Sequence, residues 1–269
     1  MTPPSRAARS VVTGASLPSR DTTIPVFEEL PAFEEEDVGD ARGTSACQAF
    51  FDVVTPRDAQ FTLLASRVRA LGRDRRLRRI GVVSATRGEG KTTVALGLAR
   101  ALALEERRVL LIEAHVRWPA VDAALGLPRP SIGLLQYLEA PHSTVTVRRP
   151  APEALWILSA GEGFLGRLEE TRVTALLAAA QRAFDYVVVD CPPLLPPKDE
   201  VIRHDLLDGL LLVVRSRYSS RKTVRRAMAR MKPGIFRGVV FNAHRELRPF
   251  RRGRAISSRP SPQPSPGIP

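Results

Sequence analysis

Apolar residues in this chain gather into short continuous runs, and longer stretches with helical periodicity separate these runs. Short apolar runs rich in Val, Ile and Leu are typical of strands buried on both faces of a parallel sheet. They occupy residues 80–83, 109–112, 155–158, 186–189, 209–214 and 238–242. The helical stretches are residues 55–79, 92–104, 131–138, 169–184 and 219–231. This alternation predicts an α/β fold with a doubly wound, mostly parallel sheet and helices on both faces.

The two ends of the chain differ in composition from the middle. Residues 1–54 are rich in Pro, Ser and Thr and then become acidic, whereas residues 244–269 are rich in Arg, Ser and Pro. Segments of this composition bury too little apolar surface to fold by themselves. We therefore expect a disordered acidic arm over residues 1–54, one folded domain over 55–243, and a disordered basic tail over 244–269.

Charge and cysteine content indicate which kind of partner and which cellular compartment to expect for this protein. The 269 residues include 41 Lys and Arg against 28 Asp and Glu, a net charge of +13, which predicts attraction to an anionic partner. Cys47 and Cys191 are too few and too far apart for a disulfide framework or a cysteine metal site. No apolar run is long enough to cross a membrane and no signal peptide is evident, so we expect a cytoplasmic protein.

The strongest chemical signal lies between the first apolar run and the helical stretch after it. The sequence there is Ser84-Ala85-Thr86-Arg87-Gly88-Glu89-Gly90-Lys91-Thr92-Thr93. A strand, a glycine-rich turn, Lys-Thr and a helix together predict a phosphate-binding loop. Glycines let backbone N–H groups turn inward around phosphate oxygens, and the helix N-terminus favours negative charge. The usual first glycine of the motif is Ala85 here.

The side chains of this loop have separate expected roles. Lys91 supplies the cation for the β- and γ-phosphates, and we count it among the candidate catalytic residues. The Thr92 hydroxyl is expected to hold Mg²⁺ together with Asp190, which directly follows the apolar run 186–189, because a strand-end Asp contributes to the metal site in P-loop proteins. The loop residues predicted to bind the nucleotide are Arg87, Gly88, Glu89, Gly90, Lys91, Thr92 and Thr93.

These motifs resemble those of the bacterial tyrosine kinases of capsule and exopolysaccharide biosynthesis, a branch of the MinD- and ParA-like P-loop ATPases. The similar segments are residues 84–93, 109–119, 185–193, 208–215 and 238–242. The resemblance implies a P-loop NTPase fold and binding of ATP or ADP with Mg²⁺. It also implies an adenine contact from Asn242 at the end of the last strand, although an Asn that caps a loop is an equal alternative.

The resemblance further implies a partner. Kinases of this family act with a membrane polysaccharide co-polymerase, a chain-length regulator, which is expected on a separate chain because no membrane-spanning stretch is predicted here. That partner would place the protein at the inner face of the plasma membrane. The sequence leaves open whether the protein also forms a homo-oligomer. Nucleic acid is not an expected partner, because the partition branch has a signature lysine at the position of Thr86.

The second strand end departs from the family motif Asp-x-Asp-x-Arg-Arg-Pro. Here it reads Glu113-Ala114-His115-Val116-Arg117-Trp118-Pro119. By the resemblance, these acids help to bind Mg²⁺ and accept the proton of the substrate hydroxyl. Imidazole is a poor ligand for Mg²⁺, but it can act as a base near neutral pH. Glu113 and His115 are therefore the remaining candidate catalytic groups, and we expect a degenerate kinase or ATPase.

The tyrosines also differ from the family pattern, in which the kinase phosphorylates a tyrosine cluster in its C-terminal tail. Tyr137, Tyr186 and Tyr218 all lie inside the predicted domain, so we expect no autophosphorylation of the tail. The arginine pair that the family uses for ring assembly is not recovered before the first strand. Two alternatives remain, namely an active tyrosine kinase acting on another protein and a partition- or MinD-like ATPase that binds nucleic acid or membrane.

Overall fold

The computed structural model describes residues 11–12, 32–36, 58–75, 77–139, 144–150, 154–164, 166, 169–196 and 200–243. The expected disorder of the basic tail, and of most of the acidic arm, concerns residues outside these ranges. Within them, no helix is long and apolar enough to cross a membrane.

Among the described residues, nine strands form a single sheet. In chain order they are β1 (Val11–Val12), β2 (Ala32–Glu36), β3 (Arg79–Ser84), β4 (Val109–Glu113), β5 (Thr144–Arg148), β6 (Leu155–Leu158), β7 (Tyr186–Asp190), β8 (Gly209–Arg215) and β9 (Phe236–Asn242). Their order across the sheet is β1-β2-β5-β6-β4-β7-β3-β8-β9. The pairs from β6 to β9 are all parallel, whereas β5 is antiparallel to β6 and β1 is antiparallel to β2.

In the part of the chain that the structure describes, six α-helices connect or flank the strands. They are α1 (Asp58–Arg75), α2 (Lys91–Ala103), α3 (Val121–Ala124), α4 (Leu134–Glu139), α5 (Glu170–Ala183) and α6 (Arg221–Met228), and a short 3₁₀ helix spans His204–Leu206. Two buried apolar clusters lie in the fold, one around α2 and the other around α5. The predicted doubly wound, mostly parallel α/β sheet is therefore confirmed.

The helical pattern before the first strand produces a specific packing contact. Phe61, Ala65 and Val68 recur at helical spacing on α1 and are buried. The Phe61 ring rests on Gly97 of α2, where an added Cβ would lie 2.5 Å from ring carbons. Only glycine leaves room for the ring at this position, so the sequence of α2 determines how closely α1 approaches it.

The expectation of disorder over residues 1–54 is wrong for β2. Ala32–Glu36 pairs in parallel with β5 and adds an acidic strand to the sheet. Phe33 is buried and meets the Phe184 ring edge-on, with 5.2 Å between ring centroids, and the Trp156 indole N–H donates to the Glu35 carboxylate at 3.1 Å. This aromatic contact explains why a short segment with so many carboxylates joins the fold.

The sheet topology places one end of β3, β7 and β4 next to each other. The chain passes from β3 to β4 across β7, while β8 and β9 continue on the other side of β3. In open α/β sheets, such a reversal of strand order opens a crevice at the carboxyl ends of the strands. The loop after β3, Glu113 and Asp190 all lie at this edge.

Candidate functional site

The predicted phosphate-binding loop is a tight turn between β3 and α2. Gly88 and Gly90 have φ angles of 80° and 90°, in the left-handed region that favours glycine. Helix α2 begins at Lys91, so the backbone N–H groups of its first turn are available for an anion. Gly90 also leaves space for a close approach by the last strand, because an added Cβ would lie 2.0 Å from the Asn242 amide nitrogen.

Three side chains predicted for phosphate and metal binding come together beside this loop. The Thr92 hydroxyl donates to one Asp190 carboxylate oxygen at 2.7 Å, and Lys91 Nζ lies 4.0 Å from the other. Asp190 is buried, and burial raises the pKa of its carboxyl while Lys91 and the Thr92 hydrogen bond oppose that change. The structure therefore places an acid, a hydroxyl and a cation at the mouth of the loop.

The side chains of Thr92 and Asp190 also fit a magnesium ion. The second Asp190 oxygen, Oδ1, is buried and accepts no hydrogen bond from any described residue, so it remains available as a ligand. A carboxylate and a hydroxyl oxygen are ligands that Mg²⁺ accepts, and Mg²⁺ commonly completes its octahedron with water and phosphate oxygens. In the described part of the chain, no cluster of three His, Cys, Asp or Glu residues offers a metal site made by protein side chains alone.

His115 lies against Lys91, the lysine of the predicted phosphate-binding loop. Its Nδ1 is 3.2 Å from Lys91 Nζ, and both side chains are buried. An ammonium group only donates hydrogen bonds, so Nδ1 must be unprotonated and accept. His115 stands at the position of an acid in the family motif. It accepts a hydrogen bond from Lys91 through an uncharged ring nitrogen, where the family has a carboxylate.

Glu113 faces a different set of groups. One carboxylate oxygen accepts the backbone N–H groups of Ala120 at 2.5 Å and Val121 at 2.7 Å, and the other accepts that of Ala160 at 3.2 Å. Burial raises the pKa of Glu113 to about 7, and these three backbone hydrogen bonds oppose the rise. Its carboxylate is therefore used to hold the chain at the start of α3 and at the end of β6, and its catalytic role stays a prediction.

Glu89 supports the loop from within. Its buried carboxylate accepts from the Ala85 backbone N–H at 3.0 Å, the Thr86 hydroxyl at 3.0 Å and the Ser219 hydroxyl at 2.7 Å. A side chain held in this way shapes the turn, and only its backbone is left to face phosphate. The sequence placed Glu89 in the loop but did not indicate the contact with residue 219, and the predicted contact of Glu89 with the nucleotide stays a prediction.

The segment after β8 and the last strand hold the loop from outside. Arg215 donates to the Gly88 carbonyl at 2.9 Å, the Tyr218 hydroxyl to the Arg87 carbonyl at 3.2 Å, and the Asn242 amide to the Glu89 carbonyl at 2.9 Å. Sequence reasoning assigned neither Arg215 nor Tyr218 to the site, because each is more than a hundred residues from the loop along the chain. The adenine contact from Asn242 stays a prediction.

A small cleft opens beside His115. The Arg87 guanidinium stacks on the Trp118 ring at 4.2 Å from the centroid, and these two residues, His115 and several prolines after β7 line about 230 Å³ of space. Trp118 stands where the family motif has its second Arg. Instead of a second cation, this position provides an aromatic face that holds Arg87 at the cleft.

Comparisons with known proteins agree with this geometry. The family model described as the CobQ/CobB/MinD/ParA nucleotide binding domain matches residues 80–242. The tyrosine-protein kinase YwqD of Bacillus subtilis is 30% identical over 180 residues, which cover 65% of this chain and 74% of YwqD. The succinoglycan biosynthesis transport protein ExoP of Rhizobium meliloti is 34% identical over 142 residues, which are 50% of this chain but only 18% of ExoP.

Solved structures give the same result. The BceF tyrosine kinase domain is 25% identical, with a TM-score of 0.57, and the match covers 68% of this chain and 76% of that domain. The VpsO kinase domain has the same TM-score at 23% identity, which shows a shared fold. The chain therefore belongs to the CobQ/CobB/MinD/ParA nucleotide-binding family and, within it, to the bacterial tyrosine-protein kinases related to YwqD.

Proposed function

We propose that this protein binds ATP or ADP with Mg²⁺ at the loop after β3 and has weak or no tyrosine kinase activity. The observation that carries the proposal is the contrast within one crevice. The phosphate and metal groups Lys91, Thr92 and Asp190 lie together, whereas the two residues at the positions of the family's further acids are used otherwise. Glu113 holds backbone N–H groups, and His115 holds Lys91.

Each binding residue has a distinct task in this proposal. The N–H groups of residues 88–93 and the Lys91 ammonium bind the phosphate oxygens, because charge-assisted hydrogen bonds to anions are strong. Thr92 and Asp190 hold the metal ion, which would neutralise charge on the phosphates when bound.

The proposed weakness of the kinase reaction follows from proton transfer. A base must lie within hydrogen-bonding reach of the acceptor hydroxyl. All the described hydrogen bonds of the Glu113 carboxylate go to backbone N–H groups, and His115 Nδ1 accepts from the lysine that the phosphates also need. We expect purified protein incubated with ATP and Mg²⁺ to show no phosphotyrosine by mass spectrometry, at Tyr218 or elsewhere.

The binding part of the proposal is tested with Lys91→Ala. Removal of the cation should weaken ATP binding about tenfold or more in titration calorimetry, since charge-assisted hydrogen bonds contribute about 1.5–3 kcal/mol. The matched control is Lys222→Ala, which removes an exposed lysine of α6 and should leave the affinity unchanged. Equal affinity of the natural protein and Lys91→Ala would overturn the assignment of the loop.

The weak activity is tested with His115→Asp. An added carboxylate supplies an oxygen ligand for Mg²⁺ and frees Lys91 from the imidazole, so ATP turnover should rise several-fold from a low value. The alternative is an active kinase that phosphorylates another protein with His115 as its base, and the cleft beside His115 favours it. Faster turnover by the natural protein than by His115→Asp would support that alternative.

The proposed partner is a membrane chain-length regulator on a separate polypeptide, which would hold this protein at the inner face of the membrane. The support for it is the similarity to ExoP, whose name describes polysaccharide biosynthesis and transport. Co-expression with a candidate regulator should bring the protein into the membrane fraction, and expression alone should leave it out. Equal distribution in both cases would remove this partner from the proposal.

A further inference from the structure

One stretch of the fold carries an unusual concentration of positive charge. No Asp or Glu occurs between Asp208 and Glu246. Nine basic residues lie in its first part, namely Arg215, Arg217, Arg221, Lys222, Arg225, Arg226, Arg230, Lys232 and Arg237. Lys232 pairs with Asp205 at 2.5 Å. No described acidic side chain forms an ion pair with Arg217, Arg221 or Arg225.

These arginines surround a groove between α6 and β9. The groove encloses about 810 Å³. Its lining includes the apolar residues Val224, Val239 and Phe241, which we call the floor, and the basic residues Arg221 and Arg225, which we call the rim. Phe241 is 69% exposed, which is unusual for a phenylalanine in a strand. An apolar floor with a basic rim predicts a ligand that is both acidic and apolar.

The backbone beside the groove is also available. β9 is the last strand of the sheet, and it pairs only with β8 among the described strands. An exposed strand edge accepts an extended peptide through main-chain hydrogen bonds, while alternate side chains of that peptide enter the adjacent pocket. The edge and the groove therefore suit the same kind of occupant.

We propose that this groove docks an extended segment of another protein in which acidic and apolar residues alternate. Two segments of this chain fit it less well. The C-terminal tail, residues 244–269, has six Arg and one Glu and would be repelled, and the acidic residues 32–36 already pair with β5 at the other end of the sheet. A peptide can enter a concave groove, whereas a bilayer surface cannot follow it.

The groove also touches the nucleotide site. Arg215 and Ser219 line it, and the same two side chains hold the Gly88 carbonyl and the Glu89 carboxylate of the phosphate-binding loop. A docked segment therefore lies one side chain away from that loop. Both residues are left unchanged in the test below, so that peptide binding is measured without disturbing the nucleotide site.

The test uses a labelled synthetic peptide of alternating Glu and Leu, measured by fluorescence anisotropy with the full chain and no nucleotide. The double variant Arg221→Glu with Arg225→Glu changes the rim of the groove. Its matched control is Lys222→Glu with Arg226→Glu, which makes the same change in charge on the same exposed helix at residues that do not line the groove. The rim variant should lose about tenfold or more in affinity, and the control about threefold or less.

A second comparison changes only the ligand. A peptide of alternating Glu and Ser has the same charge but no apolar side chains for the floor, so it should bind the natural protein several-fold more weakly than the Glu-Leu peptide. Circular dichroism and thermal unfolding of both double variants should match the natural protein, which separates docking from folding.

Three outcomes would overturn the proposal. Equal losses in the rim variant and its control would show general attraction between charges instead of docking in the groove. Equal binding of the Glu-Leu and Glu-Ser peptides would show that the apolar floor does not contribute to binding. Tighter binding of anionic vesicles or duplex DNA than of the Glu-Leu peptide would assign the surface to a membrane or a nucleic acid. The test uses no ATP, so its result is independent of the proposed nucleotide chemistry.

Discussion

Two carboxylates at neighbouring strand ends have opposite surroundings. Glu113 and Asp190 are register partners of the parallel pair β4–β7, and each directly follows a run of apolar residues. The Asp190 carboxylate accepts one hydroxyl and keeps a buried oxygen available toward Lys91, whereas both Glu113 oxygens accept backbone N–H groups. A strand-end acid thus marks the crevice, but its neighbours decide whether it faces a ligand or supports the fold.

The difference has a physical origin in the chain that follows each strand. After β4 the chain turns back so that the N–H groups of Ala120 and Val121 point at the Glu113 carboxylate, and the first turn of α3 needs such an acceptor. After β7, no described backbone N–H donates to the Asp190 side chain, and Thr92 is its hydrogen-bond donor. Three experiments separate the roles of Glu113 and Asp190.

The largest expected effect is that of Glu113→Ala on stability. The substitution leaves the buried N–H groups of Val121 and Ala160 and the half-buried N–H group of Ala120 without this acceptor, and a buried N–H group without an acceptor costs about 1–3 kcal/mol. The free energy of unfolding in urea should therefore fall by at least about 3 kcal/mol. Glu162→Ala, at an exposed residue, is the control and should change it by less than about 0.5 kcal/mol. An unchanged stability of Glu113→Ala would show that the acid does not support the fold.

The next effect concerns the pH dependence of stability. Burial raises the pKa of Glu113 from 4.5 in the unfolded chain to about 7 in the folded protein, so the folded state keeps a proton that the unfolded state has released. Stability should therefore fall as pH rises from about 4.5 to 7, by up to about 3 kcal/mol. Glu113→Gln cannot titrate, and its free energy of unfolding should lack this part of the decline. Parallel pH profiles for the two proteins would contradict the raised pKa.

The smallest effect is expected from Asp190→Asn, and it should appear in binding. The amide keeps the shape of the side chain but removes a charged ligand, so ATP affinity in the presence of Mg²⁺ should drop about tenfold. Affinity in EDTA should change little. A large loss of stability in Asp190→Asn, with unchanged ATP affinity in the presence of Mg²⁺, would contradict this prediction. It would show that Asp190 supports the fold, as Glu113 does.

Much of the crevice was predictable because its signals are local. Lys91 and Thr92 follow a glycine turn, and Asp190 follows an apolar run, so each could be assigned from its immediate neighbours along the chain. The structure brings these three together as predicted. Arg215, Tyr218 and Ser219 were not predicted, because their contacts with the loop join residues more than a hundred positions apart.

The strands also divide into those that local sequence signals predicted and those that they did not. Continuous apolar runs identified the six strands from β3 to β9 other than β5, since strands buried on both faces need apolar residues throughout. Strand β2 has three Glu, and β5 alternates Thr with Val, so neither forms such a run. Their pairing is supported by the contact of Phe33 with the Phe184 ring, which joins residues about 150 positions apart along the chain.

The sequence by itself determined that this protein has an α/β sheet with a phosphate-binding loop and a strand-end Asp beside it, because periodicity, glycine turns and strand ends are local properties. Tertiary structure alone decided what the remaining polar groups do. It turned Glu113 toward backbone N–H groups, placed His115 on Lys91, and left a basic groove at the edge of β9. Each of these results depends on which distant groups share a buried space, where an unpaired polar atom is costly.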